Sequence, residues 1–146
     1  MDGLDLLKRG NSMNYLAVAA GGVAGACLRF FVTEWMGTLR GFPIATVVIN
    51  IVGSFFLAWF YTITLERFPV HPTIRLGIGT GLVGAFTTFS TFTVDFWKLW
   101  QSGEWLMAAG YILLSVIGGI GAALLGYATA TRQSRLAVSD EAHEEA

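Results

Sequence analysis

The chain has 146 residues, 54% of them hydrophobic and only 13% charged, with a formal net charge of −1. A soluble domain carries about a quarter charged residues, so this composition excludes the ordinary soluble class, and the near-zero net charge leaves no basic footprint for nucleic acid. Cys27 is the single cysteine, which excludes an internal disulfide and a multi-thiol metal site.

Residues 1–13 form a polar N-terminal extension holding Lys8 and Arg9, and Met13 is an alternative start. The first apolar run covers about 15–33 and is interrupted only by Arg29. Within it, Ala24–Gly25–Ala26–Cys27 has a faint likeness to a lipoprotein cleavage site. Alanine three before Cys27, where leucine is usual, and Arg29 just after it both speak for a retained span.

Arg40–Gly41–Phe42–Pro43 separates this run from the second, about 42–65, with Pro43 well placed near a helix start. Two prolines in Glu66–Arg67–Phe68–Pro69–Val70–His71–Pro72 make the next break. The third run covers about 75–97, and a few residues around Gln101–Ser102–Gly103 lead to the fourth, about 105–131. Residues 132–146, with Asp140, Glu141, Glu144 and Glu145, have the composition of a disordered acidic tail. His71 and His143 both lie outside the apolar runs, without ligand-like neighbours.

Each run is close to the roughly 20 residues that a helix needs to cross the hydrocarbon core. None alternates in polarity as a barrel strand does. Trp35, Trp97, Trp100 and Trp105 mark run ends, where indoles favour the headgroup region. The expected fold is therefore an all-α membrane protein of four transmembrane helices over 14–131. Four crossings put both termini on one side. Lys8, Arg9, Arg67, Arg75, Arg132 and Arg135 fall on that side, against Arg40 and Lys98 on the other, with Arg29 added if it reaches out. That bias favours termini on the inner side of a cell membrane.

Glycine is frequent, 18 residues in all, and clusters in the runs. Close helix packing explains most of these glycines. It does not explain the third run, where Gly77, Gly79, Gly81 and Gly84 precede Thr87, Thr88, Ser90, Thr91 and Thr93. Glycine loosens a helix, and hydroxyl side chains offer its backbone alternative partners. A break near mid-membrane is expected there, and such backbone survives only inside protein or beside an aqueous cavity.

Phe89 and Phe92 lie three apart and share a helix face. Ordinary packing accounts for most membrane phenylalanines, whereas ring edges, being positive, can also face an anion. Asn50, the only amide in the second run, has Thr46 one turn before it; an interhelical hydrogen bond and a pore role are equally open from sequence. Tyr111 and Ser115, one turn apart, extend a polar stripe on the fourth run, and Arg29 is an intramembrane charge that must find protein or water.

Together these residues resemble the Fluc (also called CrcB) family of fluoride channels. The likeness lies in Gly21–Gly22–Val23–Ala24–Gly25–Ala26–Cys27–Leu28–Arg29, in Thr46 through Asn50 to Gly53–Ser54–Phe55, in Gly84–Ala85–Phe86–Thr87–Thr88–Phe89–Ser90–Thr91–Phe92, and in Gly110–Tyr111 to Ser115. It covers about 14–131. The resemblance implies a dual-topology antiparallel homodimer in the cell (inner) membrane that lets fluoride leave the cell. It also implies a structural sodium ion on the dimer axis, held by the main-chain carbonyls of Gly84 and Thr87. Phe89, Phe92 and Asn50 match the family's pore positions, and Tyr111 and Ser115 match its polar track. At Gly119, one turn further, some relatives have serine; this chain departs from them there.

Elementary physics points the same way. Four short helices enclose no lumen alone, so a pore needs a second copy. A fluoride path must replace a tightly held hydration shell with donors rather than acceptors. Two other functions remain to be weighed. A small drug/proton exporter needs a membrane-buried carboxylate, but the middle of the first run is glycine and alanine, and Glu34 and Asp95 fall at run ends. A non-transporting scaffold subunit would tolerate loss of the break and of Asn50. An enzyme is not expected, because no nucleophile–base or metal constellation is present.

Overall fold

A computed structural model describes the backbone of residues 3–144 and the side chains of 12–134. The described chain is helical throughout. Helix α1 is Gly3–Met36, α2 is Ile44–Glu66, α3 is Pro72–Leu76, α4 is Gly84–Phe86, α5 is Phe89–Gln101 and α6 is Trp105–Glu144, with a π-helical stretch, Gly77–Val83, joining α3 to α4. Three stretches are long and apolar enough to cross a membrane: Ser12–Met36, Ile44–Glu66 and Trp105–Ser134. The third expected span, 75–97, takes a different form. It lies in a rod over 72–101 broken into pieces, none long enough to cross as a single helix.

Short signals set the element ends. Leu39 and Phe42 exchange two main-chain hydrogen bonds of 2.9 Å across Arg40 and Gly41, both with positive φ (52° and 84°). That is the tight turn a glycine at its second position makes cheap, and it folds α2 back beside α1. Pro72 opens α3 at a position where no amide is needed, with His71 Nδ1 accepting from the Thr73 amide at 3.3 Å. Helix α5 stops at Gly103 (φ 80°), where Gly103 donates to Trp100 O and Glu104 to Leu99 O. This paired closure satisfies the last carbonyls and needs a left-handed residue.

Two parallel helix pairs make up the molecule. In the first, α1 lies along the glycine-rich half of the rod. Asn14 Oδ1 accepts from Thr73 Oγ1 at 2.6 Å, and further on Gly21 abuts Gly77 and Gly25 abuts Leu82 and Phe86. A Cβ at Gly21 or Gly25 would run into the backbone of the rod, so the small residues set this approach. In the second pair, α2 lies along α6, with Ile51 against Gly118, Ser54 beside Gly119 and the Phe55 backbone against Gly126. The buried centre is small: Val47, Leu99, Ala108 and Tyr111, flanked by Phe42, Ile51, Phe92 and Phe96. Much of the apolar surface faces outward, including Leu16, Val23, Phe30, Phe31, Leu106 and Ile117. That is the surface of a chain whose solvent is lipid or a second protein.

The N-terminal extension runs helical into α1 from Gly3, and its first two residues lie outside the described residues. The expected disorder of 132–146 falls mostly where no side chain is described, while the α6 backbone continues to Glu144.

Candidate functional site

The expected break is present and lies at Thr87 and Thr88. Helix α4 ends at Phe86; Thr87 (φ −73°, ψ 158°) and Thr88 (φ −149°, ψ 125°) are extended; α5 then starts at Phe89. Two devices hold this step open. Asn50, projecting from α2, donates from Nδ2 to Thr88 O (2.9 Å) and accepts the Thr88 amide at Oδ1 (2.8 Å). The Thr88 hydroxyl then caps α5, accepting the Thr91 amide at 3.1 Å. The Thr87 hydroxyl turns back onto Val83 O at 2.9 Å. Gly53, one turn after Asn50, leaves the room that the Thr87 methyl occupies.

These bonds have a consequence for two carbonyls. In an unbroken helix Gly84 O would receive the Thr88 amide, and Thr87 O the Thr91 amide. The first amide goes to Asn50 and the second to the Thr88 hydroxyl. Gly84 O and Thr87 O are thereby released from the helical ladder at the break. Carbonyl oxygens freed in this way are hard donors suited to a small cation such as sodium.

A cavity of about 460 Å³ opens on the break, lined by Asn50, Gly53, Ser54, Leu57, Gly84, Thr87, Thr88 and Phe89. It brings Asn50, Phe89, Gly84 and Thr87 to one wall. Phe89 is 80% exposed, and its ring stacks on that of Phe92 at 5.9 Å between centroids. Phe92 stacks in turn on Tyr111 at 5.0 Å, and Tyr111 meets Phe42 edge-on at 5.8 Å. An aromatic file thus leads from the cavity toward α6. Tyr111 is fully buried, and neither its hydroxyl nor the buried Ser115 Oγ has a hydrogen-bond partner among the described residues. Unpaired buried hydroxyls are costly, so the two mark α6 as a face with donors to spare among the described residues.

Thr46 is also buried, and its hydroxyl donates to Asp95 Oδ2 at 2.7 Å. Asp95 is therefore not a segment-end residue: α5 continues to Gln101, and the half-buried carboxylate sits beside the file. Sequence reasoning missed its place, although the three-residue spacing from Phe92 to Asp95 put both on one helical face. A second cavity, about 280 Å³, is lined by Thr38, Gly41, Pro43, Asp95, Lys98, Leu99 and Ser102. Arg29 is not brought to this group. It lies on α1, half-buried, on a helix that packs against the other half of the rod. No group of three or more His, Cys, Asp or Glu suited to a metal ion occurs among the described residues.

The sequence matches the family described as CrcB-like protein, Camphor Resistance (CrcB), over residues 16–127. It is similar to "Fluoride-specific ion channel FluC" of Saccharophagus degradans, 42% identical over 112 residues, covering 76% of this chain and 84% of the relative. The protein of the same name from Oceanobacillus iheyensis is 42% identical over 113 residues, covering 77% and 88%. That from Alteromonas mediterranea is 47% identical over 105 residues, covering 70% and 82%.

Proposed function

The chain belongs to the CrcB-like family, and from that premise we propose that it is a fluoride channel through which fluoride leaves the cell down its electrochemical gradient. Such a channel lowers cytoplasmic fluoride and protects the cell from it. The carrying observation is identity above 40% with proteins named as fluoride-specific ion channels, over most of their length. A channel moves its ion without making or breaking bonds, and so is not an enzyme.

The broken rod over 72–101 crosses the bilayer as the third of four spans, its two halves joined at Thr87 and Thr88. A break at that depth is tolerable beside a cavity, which is where this one lies. Fluoride passes along the ring edges of Phe89 and Phe92 and the hydroxyls of Tyr111 and Ser115. The second Nδ2 hydrogen of Asn50 is free to serve it, since one is already spent on Thr88 O. Thr46 is bound to Asp95 and acts near the far end of the file, where Lys98 offsets the carboxylate in the same cavity. Arg29 serves the path only at a distance, as a positive charge drawing anions toward its mouth.

The open side of the large cavity and the bare Phe89 ring call for a second copy, and the working unit is an antiparallel homodimer inserted both ways in the cell (inner) membrane. Gly84 O and Thr87 O are the oxygens that would hold a sodium ion on the dimer axis. When bound, that ion supplies a fixed positive charge and locks the break. The reading is tested by fluoride release from liposomes, with chloride as the excluded ion.

A further inference from the structure

Three positions on one face of α6, Tyr111, Ser115 and Gly119, are four residues apart and so stack a turn at a time. The first two carry buried hydroxyls with no partner among the described residues. The third has no side chain. What faces it comes from the neighbouring helix: a Cβ built on Gly119 would lie 3.6 Å from Ser54 Oγ. Ser54 is one turn after Asn50 on α2 and lines the 460 Å³ cavity with Asn50 and Phe89. Its hydroxyl forms no hydrogen bond among the described residues.

We propose that Ser54 is a further donor of the conduction path: its hydroxyl takes the third place in the row, so that α2 supplies the donor that α6 lacks at Gly119. This rests on the fluoride-channel reading. A dehydrated fluoride is a compact, strong acceptor and must be handed from donor to donor. One helical turn is 5.4 Å, so a missing hydroxyl at Gly119 would leave a step without a partner. Ser54 fills that step while also joining the row to the cavity at the break. The bland alternative is that Ser54 is merely a small residue which lets α2 approach α6.

Moving the hydroxyl from one helix to the other separates the two readings. Ser54→Ala should slow fluoride release from liposomes about tenfold, the loss expected for one hydrogen bond to a charged species, with elution volume and melting temperature unchanged. Adding Gly119→Ser to it should restore most of the rate, because a Cβ at 119 lies 3.6 Å from the place that the Ser54 hydroxyl had held, which sets the new hydroxyl beside the same step. Release by Ser54→Ala at the unaltered rate overturns the proposal, and so does a slowed Ser54→Ala that Gly119→Ser fails to rescue. Should Ser54→Ala not elute as the unaltered protein does, Ser54→Cys, of similar shape but a weak donor, takes its place; full flux in it again overturns the proposal. If the unaltered protein releases no fluoride, the channel reading falls and this inference with it. A fast parent with an equally fast Ser54→Ala removes the inference alone.

Discussion

Asn50 and Thr88 hold each other by two hydrogen bonds, 2.9 Å from Nδ2 to the carbonyl and 2.8 Å from the amide to Oδ1. One side chain thereby supplies the partner that the Thr88 amide loses at the break, and adds a second donor to the carbonyl that opens α5. Removing it leaves the Thr88 amide unpaired at the break, at about 1–3 kcal/mol. Asn50→Ala is therefore expected to cost about 1–3 kcal/mol and to lose fluoride flux. Asn50→Asp keeps the acceptor but turns an oxygen on Thr88 O, and should fail as well. Thermal unfolding in detergent checks the first effect; an unchanged melting temperature in Asn50→Ala would contradict it.

Phe89 and Phe92 differ in what their loss should do to the fold. Phe89 is largely bare, so Phe89→Ile should leave stability within about 0.5 kcal/mol. Phe92 stacks on Tyr111, and Phe92→Ile should cost about 0.5–1.5 kcal/mol beyond its lost area. Both are expected to abolish flux. Melting curves paired with liposome flux separate the two roles, and full flux in both variants would contradict the assignment of the lining.

The sequence made three of the expected spans, the tight connections and the existence of the break legible, because hydropathy, proline and the glycine-to-hydroxyl change are local signals. It also marked Asn50, Phe89, Phe92, Tyr111 and Ser115, residues that the fold gathers along two helices and the broken rod. Three things were not legible. The π-helical form of Gly77–Val83 coincides with the close approach of α1, a tertiary contact that no local spacing announces. The Asn50–Thr88 pair joins positions 38 apart, and no spacing rule reaches that far. Asp95 looked terminal only because the apolar run ends before the helix does.

The α1 interface gives a contrast between neighbours. A Cβ on Gly25 would meet the Leu82 carbonyl, whereas one on Gly22 would meet nothing within 4 Å. Gly25→Ala must push two backbones apart, an overpacking cost of about 1–3 kcal/mol or more. Gly22→Ala should be neutral or slightly stabilising, since alanine suits a helix better. Comparing the yield and melting temperature of the two variants tests the packing; equal behaviour would contradict it.

Sodium at Gly84 O and Thr87 O should show as stability. An ion held at a hundred times its dissociation constant contributes about 2.7 kcal/mol. Exchanging sodium for a large organic cation is expected to lower the melting temperature, and adding sodium back should restore it. Indifference to the exchange would remove the ion from the account.

The central claim is conduction itself. Purified protein reconstituted into liposomes loaded with potassium fluoride, with valinomycin to balance charge, is read by a fluoride electrode. Rapid release of fluoride, with chloride retained under the same conditions, is the expected result. Release no faster than from protein-free liposomes, or chloride escaping equally well, would contradict it.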